Sequence, residues 1–295
     1  MGKAFRIAGL LAVRLGAVAG AAVLAGLQLA DARTHRTIDV VVRPVALADD
    51  EPARERGRYL YRSRGCIDCH GADGTGRTFL DGGDALRIHG ANLTTGAGSA
   101  VADYRTEDWV RAIRHGVAPS GRPLLVMPSE DYNRFTDADL GALIGYMRSL
   151  PPAAGEPAEV RLPMAARLLY GFGAMSDAAA KIDHARPPQE PVAEGVTHAH
   201  GAYVANMCLG CHGPQLLGGR IPGSPPDWPP APRLAPGEGS AMANYPDAES
   251  LIRLFRTGKR ADGTAVRVMP FDSLRETSET DLRALHLYLG GRAAS

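Results

Sequence analysis

Aromatic side chains are scarce in this chain of 295 residues: Phe, Trp and Tyr make up 6%, within a hydrophobic total of 45%. The core must therefore be aliphatic, or something besides side chains must help to fill it. An excess of charge of one sign is also missing. Lys and Arg number 33 against 32 Asp and Glu, a formal net charge of +1, and no basic run or motif points to nucleic acid. Stretches of in–out alternation are few, which argues against a strand-built fold. Gly and Pro, 35 and 22 residues, approach a fifth of the chain and imply much loop. Cysteine is limited to Cys66, Cys69, Cys208 and Cys211. Two pairs with none left over would suggest disulfides in an exported chain. Their spacing argues otherwise.

What is present begins with an apolar N-terminus. Lys3 and Arg6 precede it, Arg14 interrupts it, and from Leu15 to Ala30 the only polar side chain is Gln28. The run from Ile7 to Ala30 is long enough to cross a bilayer, whose hydrocarbon core needs about 20 helical residues. It reads as a membrane anchor. The alternative is a cleaved export signal, for which Ala30-Asp31-Ala32 offers a small-x-small site. Either way, Lys3 and Arg6 stay inside and the remainder lies outside the cytoplasm.

Cys66-Ile67-Asp68-Cys69-His70 and Cys208-Leu209-Gly210-Cys211-His212 are both C-x-x-C-H. Two residues on a helical turn set the sulfurs at the spacing of the two haem vinyl groups, and the next His falls beneath the iron. A redox dithiol would need a βαβ context that is absent. A pooled four-cysteine zinc site would have to span the long stretch from Cys69 to Cys208 and would leave the following His coincidental twice. Two covalently attached haem c groups are expected.

Sliding the sequence along itself until Cys66 falls on Cys208 superimposes much of the chain. His70 falls on His212, Gly76 on Gly218, Gly116 on Gly258, Met127-Pro128 on Met269-Pro270 and Tyr146 on Tyr288. The chain thus holds a duplicated unit. Each unit reads as three main helices: 51–64, 106–115 and one opened by Thr136, then about 195–207, 247–257 and one opened by Ser278. Met127 follows His70 at the same separation as Met269 follows His212, and each Met is followed by Pro. A lone Met is ordinarily core filler. The repeat and the loop context instead make Met127 and Met269 the sixth iron ligands, with His70 and His212 as the fifth. Met147 reads as core, Met207 lies on the wrong side of its motif, and Met242 is a weak rival for the second iron. Of the remaining histidines, His35, His89, His115, His184, His198, His200 and His286, most read as surface or loop residues. His198 and His200 lack a third ligand for any metal.

With these residues in view, each unit resembles a class I cytochrome c domain. The fold class implied is all-α, two such domains in tandem after an N-terminal apolar helix. The boundaries are 1–32 for the signal or anchor, 33–52 for a tether, 53–152 for the first domain, 153–194 for a linker and 195–295 for the second. The resemblance implies that the first and last helices of each unit cross at Gly57 or Gly201, Tyr59 or Leu60 meeting Tyr146 and Tyr203 meeting Tyr288. Within the linker, residues 161–174 read as a short amphipathic helix. Its apolar face is expected on the haem units, with the membrane or a dehydrogenase subunit as other surfaces. The layout resembles the membrane-anchored cytochrome c subunits of bacterial dehydrogenases. That implies electron transfer on the periplasmic side of the inner membrane, from a dehydrogenase subunit to a cytochrome or oxidase, with no catalytic residue in this chain. The readings weighed against it are a di-haem enzyme of the peroxidase or thiosulfate dehydrogenase type, which needs one haem without a Met ligand, and the di-haem subunit of a haem-copper oxidase.

Overall fold

A computed structural model describes residues 2–48, 50–221, 224–225 and 227–291 of the chain. It is mostly helical and starts with α1 (Gly2–His35), whose large apolar side chains, Leu10, Val13, Leu15, Val18 and Leu24 among them, are exposed. Over Phe5–His35 this helix is long and apolar enough to cross a membrane. Residues 36–48 take no regular structure but are not free. Val45 is buried, Ile38 N–H donates to the Gly121 carbonyl, and the Ala46 carbonyl lies so close to Gly141 that a Cβ there would sit 2.2 Å away. The stretch expected as a tether is therefore strapped along the first helical unit.

That unit contains α2 (Glu51–Ser63), α3 (Cys66–His70), α4 (Thr106–His115), α5 (Ser129–Tyr132) and α6 (Asp137–Arg148). Asp50 caps α2 by accepting from Ala53 N–H, and Thr136 caps α6 by accepting from Asp139 N–H. The linker contributes α7 (Met164–Gly171), and the second unit runs through α8 (His198–Val204), α9 (Leu209–His212), α10 (Ala248–Thr257), α11 (Phe271–Leu274) and α12 (Glu279–Leu289). Ser278 caps α12 through Asp281 N–H, as Thr136 does for α6. Helix α4 ends at Gly116 and α10 at Gly258, both in the left-handed conformation that favours glycine.

The main contacts are α2 on α6 and α8 on α12. In both pairs a glycine sits where the helices cross. A Cβ on Gly57 would lie 2.1 Å from the Ala142 carbonyl oxygen, and one on Gly201 2.0 Å from that of Ala284. Leu60, Tyr61, Leu140, Leu143 and Ile144 fill one buried cluster; Val204, Leu251, Leu254, Leu282 and Leu285 fill another. The all-α expectation needs one amendment. Three short strands, β1 (Thr78–Asp81), β2 (Arg87–His89) and β3 (Glu159–Arg161), pair antiparallel in that order. They are too short to show a period in sequence, and β3 joins from the linker, far beyond β2 along the chain.

Candidate haem sites

Each C-x-x-C-H pentapeptide winds into a helical turn and stops at a glycine, Gly71 with φ 75° and ψ 163°, Gly213 with φ 79° and ψ 162°. The same bonds then recur at equivalent places in the two units. Gly76 N–H donates to the His70 carbonyl and Gly218 N–H to that of His212, both at 2.9 Å. After the candidate sixth ligands, Ser129 N–H donates to the Met127 carbonyl at 2.8 Å and Phe271 N–H to that of Met269 at 2.9 Å. The repeat seen in side-chain identity is thus also a repeat of backbone geometry.

The residues present fit a covalent haem. The Nδ1 atoms of His70 and His212 lie 2.8 Å from the carbonyls of Ala91 and Pro232. That bond fixes the tautomer and leaves Nε2 for a metal. Burial lowers both imidazole pKa values, which favours the neutral ring that ligation requires. No disulfide joins the four cysteines. Burial pushes the Cys66 and Cys208 thiols up to about 12 and Cys69 and Cys211 to about 11. A redox dithiol needs the opposite shift, so thiol–disulfide exchange is disfavoured at both pairs. Among the described residues, no group of three or more His, Cys, Asp or Glu side chains is placed to hold a metal ion.

Met127 and Cys66 pack against the first apolar cluster, which holds Ile67, Leu93 and Trp109; Met269 and Cys208 pack against the second, which holds Leu254 and Leu274. The structure therefore brings each candidate Met to the cluster of its own motif. Met147 is core, as expected from its place on α6. Met242 is buried in the second cluster, the one against which Met269 packs.

Sequence reasoning missed what joins the two motifs. Where Tyr59 or Leu60 is expected on Tyr146, the ring packed beside it is that of Tyr61, with centroids 5.5 Å apart. The Tyr59 hydroxyl crosses to the second unit, donating to Asp281 at 2.6 Å and accepting from Ser278 N–H at 3.0 Å. Tyr203 makes the reciprocal pair, donating to Asp139 at 2.7 Å and accepting from Thr136 N–H at 3.3 Å. His198 packs on the Tyr288 ring, with centroids 4.9 Å apart. The motifs themselves touch across the same seam. Ser273, which follows Met269 on α11, donates to Asp68 between the first two cysteines. Asp131, at the same place after Met127 on α5, accepts from Gly210 N–H between the second two at 2.6 Å. Each contact is the counterpart of another under the repeat, the signature of an isologous interface.

Charge is concentrated at Asp281. It is fully buried, bonded to His200 Nε2 at 2.7 Å and to Arg64, itself 5% exposed, from the first unit. Burial opposes ionisation of this carboxyl, but Arg64 and the bonds from Tyr59, Arg64 and His200 outweigh it and hold its pKa at about 2. Asp139 is also held below the usual range: burial opposes this, and Arg56 prevails. His89, His115, His200 and His286 are buried, against the surface positions expected of most histidines.

Residues 52–147 match the family model described as cytochrome c oxidase, cbb3-type, subunit III. The fructose dehydrogenase cytochrome subunit of Gluconobacter japonicus is 28% identical over 273 residues, 83% of this chain and 54% of that protein. The gluconate 2-dehydrogenase cytochrome c subunit of Pantoea cypripedii is 30% identical over 187 residues, 58% of this chain and 41% of its own. The cytochrome c subunit of the quinone-type alcohol dehydrogenase of Gluconobacter oxydans (strain 621H) is 25% identical over 268 residues, 81% of this chain and 55% of its own. The chain spans about half the length of these curated relatives. With two C-x-x-C-H turns of the same geometry and this set of relatives, the chain carries a cytochrome c domain, the kind that binds haem c covalently, and it is similar to the cytochrome c subunits of dehydrogenases.

Proposed function

We propose that this chain is a di-haem electron carrier of two tandem cytochrome c domains, held by α1 on the periplasmic face of the inner membrane. It takes electrons from a dehydrogenase subunit and passes them to a respiratory cytochrome or oxidase. Cys66 and Cys69 hold the first haem, with His70 and Met127 on its iron. Cys208 and Cys211 hold the second, with His212 and Met269. When bound, the haem supplies the redox chemistry; the protein supplies ligands, burial and a docking surface. A thioether opposite imidazole favours Fe(II) and raises the potential.

The observation that carries this reading is the recurrence of the motif turn and the Met-Pro turn at one offset. It supports the same ligand set in both units, which leaves no haem open for substrate and weighs against the peroxidase and thiosulfate dehydrogenase readings. The reciprocal contacts Asp68–Ser273 and Asp131–Gly210 support a relay, because each haem motif lies against the post-Met turn of the other unit.

Intact mass and a pyridine haemochrome assay should give two haems per chain. The ferric protein should show a far-red sulfur-to-iron band, and Met127→Leu and Met269→Leu should each remove about half of it. One haem per chain, or rapid carbon monoxide binding to the native protein, would sink the proposal. The oxidase-subunit reading has the family match over 52–147 behind it. Purification from membranes separates the two: a flavin-, molybdenum- or quinone-dependent dehydrogenase should accompany the chain, whereas a haem-copper oxidase in its place overturns the dehydrogenase assignment.

A further inference from the structure

Helix α7 does not pack on the haem units as the sequence led us to expect. It packs on α1. Gly26 and Gly171 allow backbones to touch: a Cβ on Gly171 would lie 2.1 Å from the Gly26 carbonyl oxygen, and one on Gly26 would meet Leu168 at 2.6 Å and Phe172 at 2.7 Å. Ala30 is buried in the same joint.

The height of this joint follows from arithmetic. A hydrocarbon core about 30 Å thick takes about 20 helical residues. Counted outward from Ile7, just past Arg6, such a span ends at Gly26. Asp31 and Arg33 set the outer limit at Ala30. The outer boundary of the apolar layer therefore falls between Gly26 and Ala30, where α7 docks. Beside the joint, the α7 segment leaves Met164 and Leu169 at 59% and 44% exposure, and Phe172, whose ring edge touches Gly26, is still 58% exposed. Just above, the polar groups change character. Arg33 lies over the Tyr170 ring with its guanidinium carbon 5.3 Å from the centroid, and Arg36 donates to the Tyr170 hydroxyl and to buried Asp177. An apolar face below a Tyr and arginines is the pattern of a helix lying in a membrane interface.

We propose that α7 is embedded in the outer leaflet beside α1, its Met164, Leu169 and Phe172 face in the acyl region. This rests on the reading of α1 as a spanning helix. The two helices then form a two-point mount. The segment after α7 ties it to the first unit, through Lys181 to Glu130 and the close approach of Ala179 to Gly116. The mount fixes the height and tilt of the first haem motif above the membrane.

The test is site-directed spin labelling of the full-length haem protein in vesicles of phosphatidylethanolamine and phosphatidylglycerol, each reading referenced to the same sample under nitrogen so that relaxation by the iron cancels. Labels go on Leu169→Cys and Phe172→Cys, with Val18→Cys reporting on α1 and Asp262→Cys on an exposed loop. Relaxation by oxygen, which partitions into lipid, is compared with relaxation by a water-soluble nickel chelate. The expected result is oxygen dominance at positions 18, 169 and 172 and nickel dominance at 262. Oxygen dominance at 18 with nickel dominance at 169 and 172 overturns the α7 proposal and leaves the anchor standing. Nickel dominance at 18 removes the anchor and the proposal with it. Shielding from both reagents at 169 and 172 overturns the proposal by showing that protein, not lipid, covers the face.

Discussion

Asp139 and Asp281 hold the same place in the two units. Each is the third residue of the last helix, each has its N–H capped by Thr136 or Ser278, and each receives a tyrosine hydroxyl from the opposite unit. Each also takes a partner from the residue before the crossing glycine of its own unit, Arg56 for Asp139 and His200 for Asp281. The difference is Arg64, which reaches across to Asp281 and has no counterpart at Asp139, because the matching place before the second haem motif holds the uncharged Asn206. The lesson is that the duplicated seam keeps its hydrogen-bond pattern while its charge is loaded on one side. Among the described residues, the Arg64 guanidinium, 5% exposed, pairs with Asp281 alone, whereas Arg56 keeps a quarter of its side chain in solvent and has Glu194 at 3.6 Å as a second anion.

The strongest way to break this comparison is to neutralise both carboxylates separately. Asp281→Asn leaves Arg64 buried and unpaired and should cost about 3–5 kcal/mol. Asp139→Asn should cost less, about 1.5–3 kcal/mol, the range for hydrogen bonds to a charged group. Urea unfolding followed in the Soret band measures both. Equal losses would mean that Arg64 finds other compensation and that the asymmetry has no energetic weight.

The second comparison should come out even. Gly57→Ala and Gly201→Ala place a methyl against the backbone carbonyls of Ala142 and Ala284, where no side chain can swing aside. Each should destabilise by about 1–3 kcal/mol, as overpacked crossings do. Thermal unfolding of the two variants should shift by similar amounts; a large difference would show that the two crossings are not equivalent.

Acid sharpens the asymmetry without mutation. The Asp281 pKa falls from an ordinary 3.8 to about 2 on folding. A depressed carboxyl contributes stability above its unfolded pKa and loses it as pH falls through the folded one. The window is therefore about pH 4 to 2, and the amount about 2 kcal/mol. Unfolding midpoints measured across that range should fall more steeply in the native chain than in Asp281→Asn. Parallel profiles would assign the acid sensitivity elsewhere.

These features were unequally legible in the sequence. The motif turns, the Met-Pro loops and the caps at Thr136 and Ser278 are local, and local chemistry repeats at a fixed offset where it can be read. The cross-unit bonds join residues far apart along the chain using common residue types. The resemblance points Tyr59 and Tyr203 to the last helix of their own unit, and Thr136 and Ser278 mark helix starts without showing what Asp139 and Asp281, three residues on, would bond. Ring direction decides between neighbours such as Tyr59 and Tyr61, and a sequence period does not resolve that. The strands escape for want of length; α7 is legible as a helix, but its partner is not, because nothing local shows that Gly26 presents its backbone to Gly171.

The smallest effect tests a place where the two units reach one backbone state with different residues. The third position after the haem-motif glycine is left-handed in both, with φ 79° at Gly74 and φ 56° at Leu216. Its N–H donates back to Gly71 or Gly213, and its carbonyl receives the loop that follows. For glycine this costs nothing, while a leucine pays about 1–2 kcal/mol for the left-handed backbone. Leu216 is nonetheless 6% exposed in the second apolar cluster, a burial worth about 1.5–3 kcal/mol. Burial wins narrowly. Leu216→Gly should therefore cost only about 1 kcal/mol in thermal unfolding, the lost burial less the relieved strain, whereas Leu254→Ala, equally buried but helical, should cost about 2–5 kcal/mol. Equal losses at the two sites would mean that the left-handed leucine carries no strain, and that Gly74 in the first unit is there for its close approach to Leu150, 2.5 Å from where a Cβ would stand.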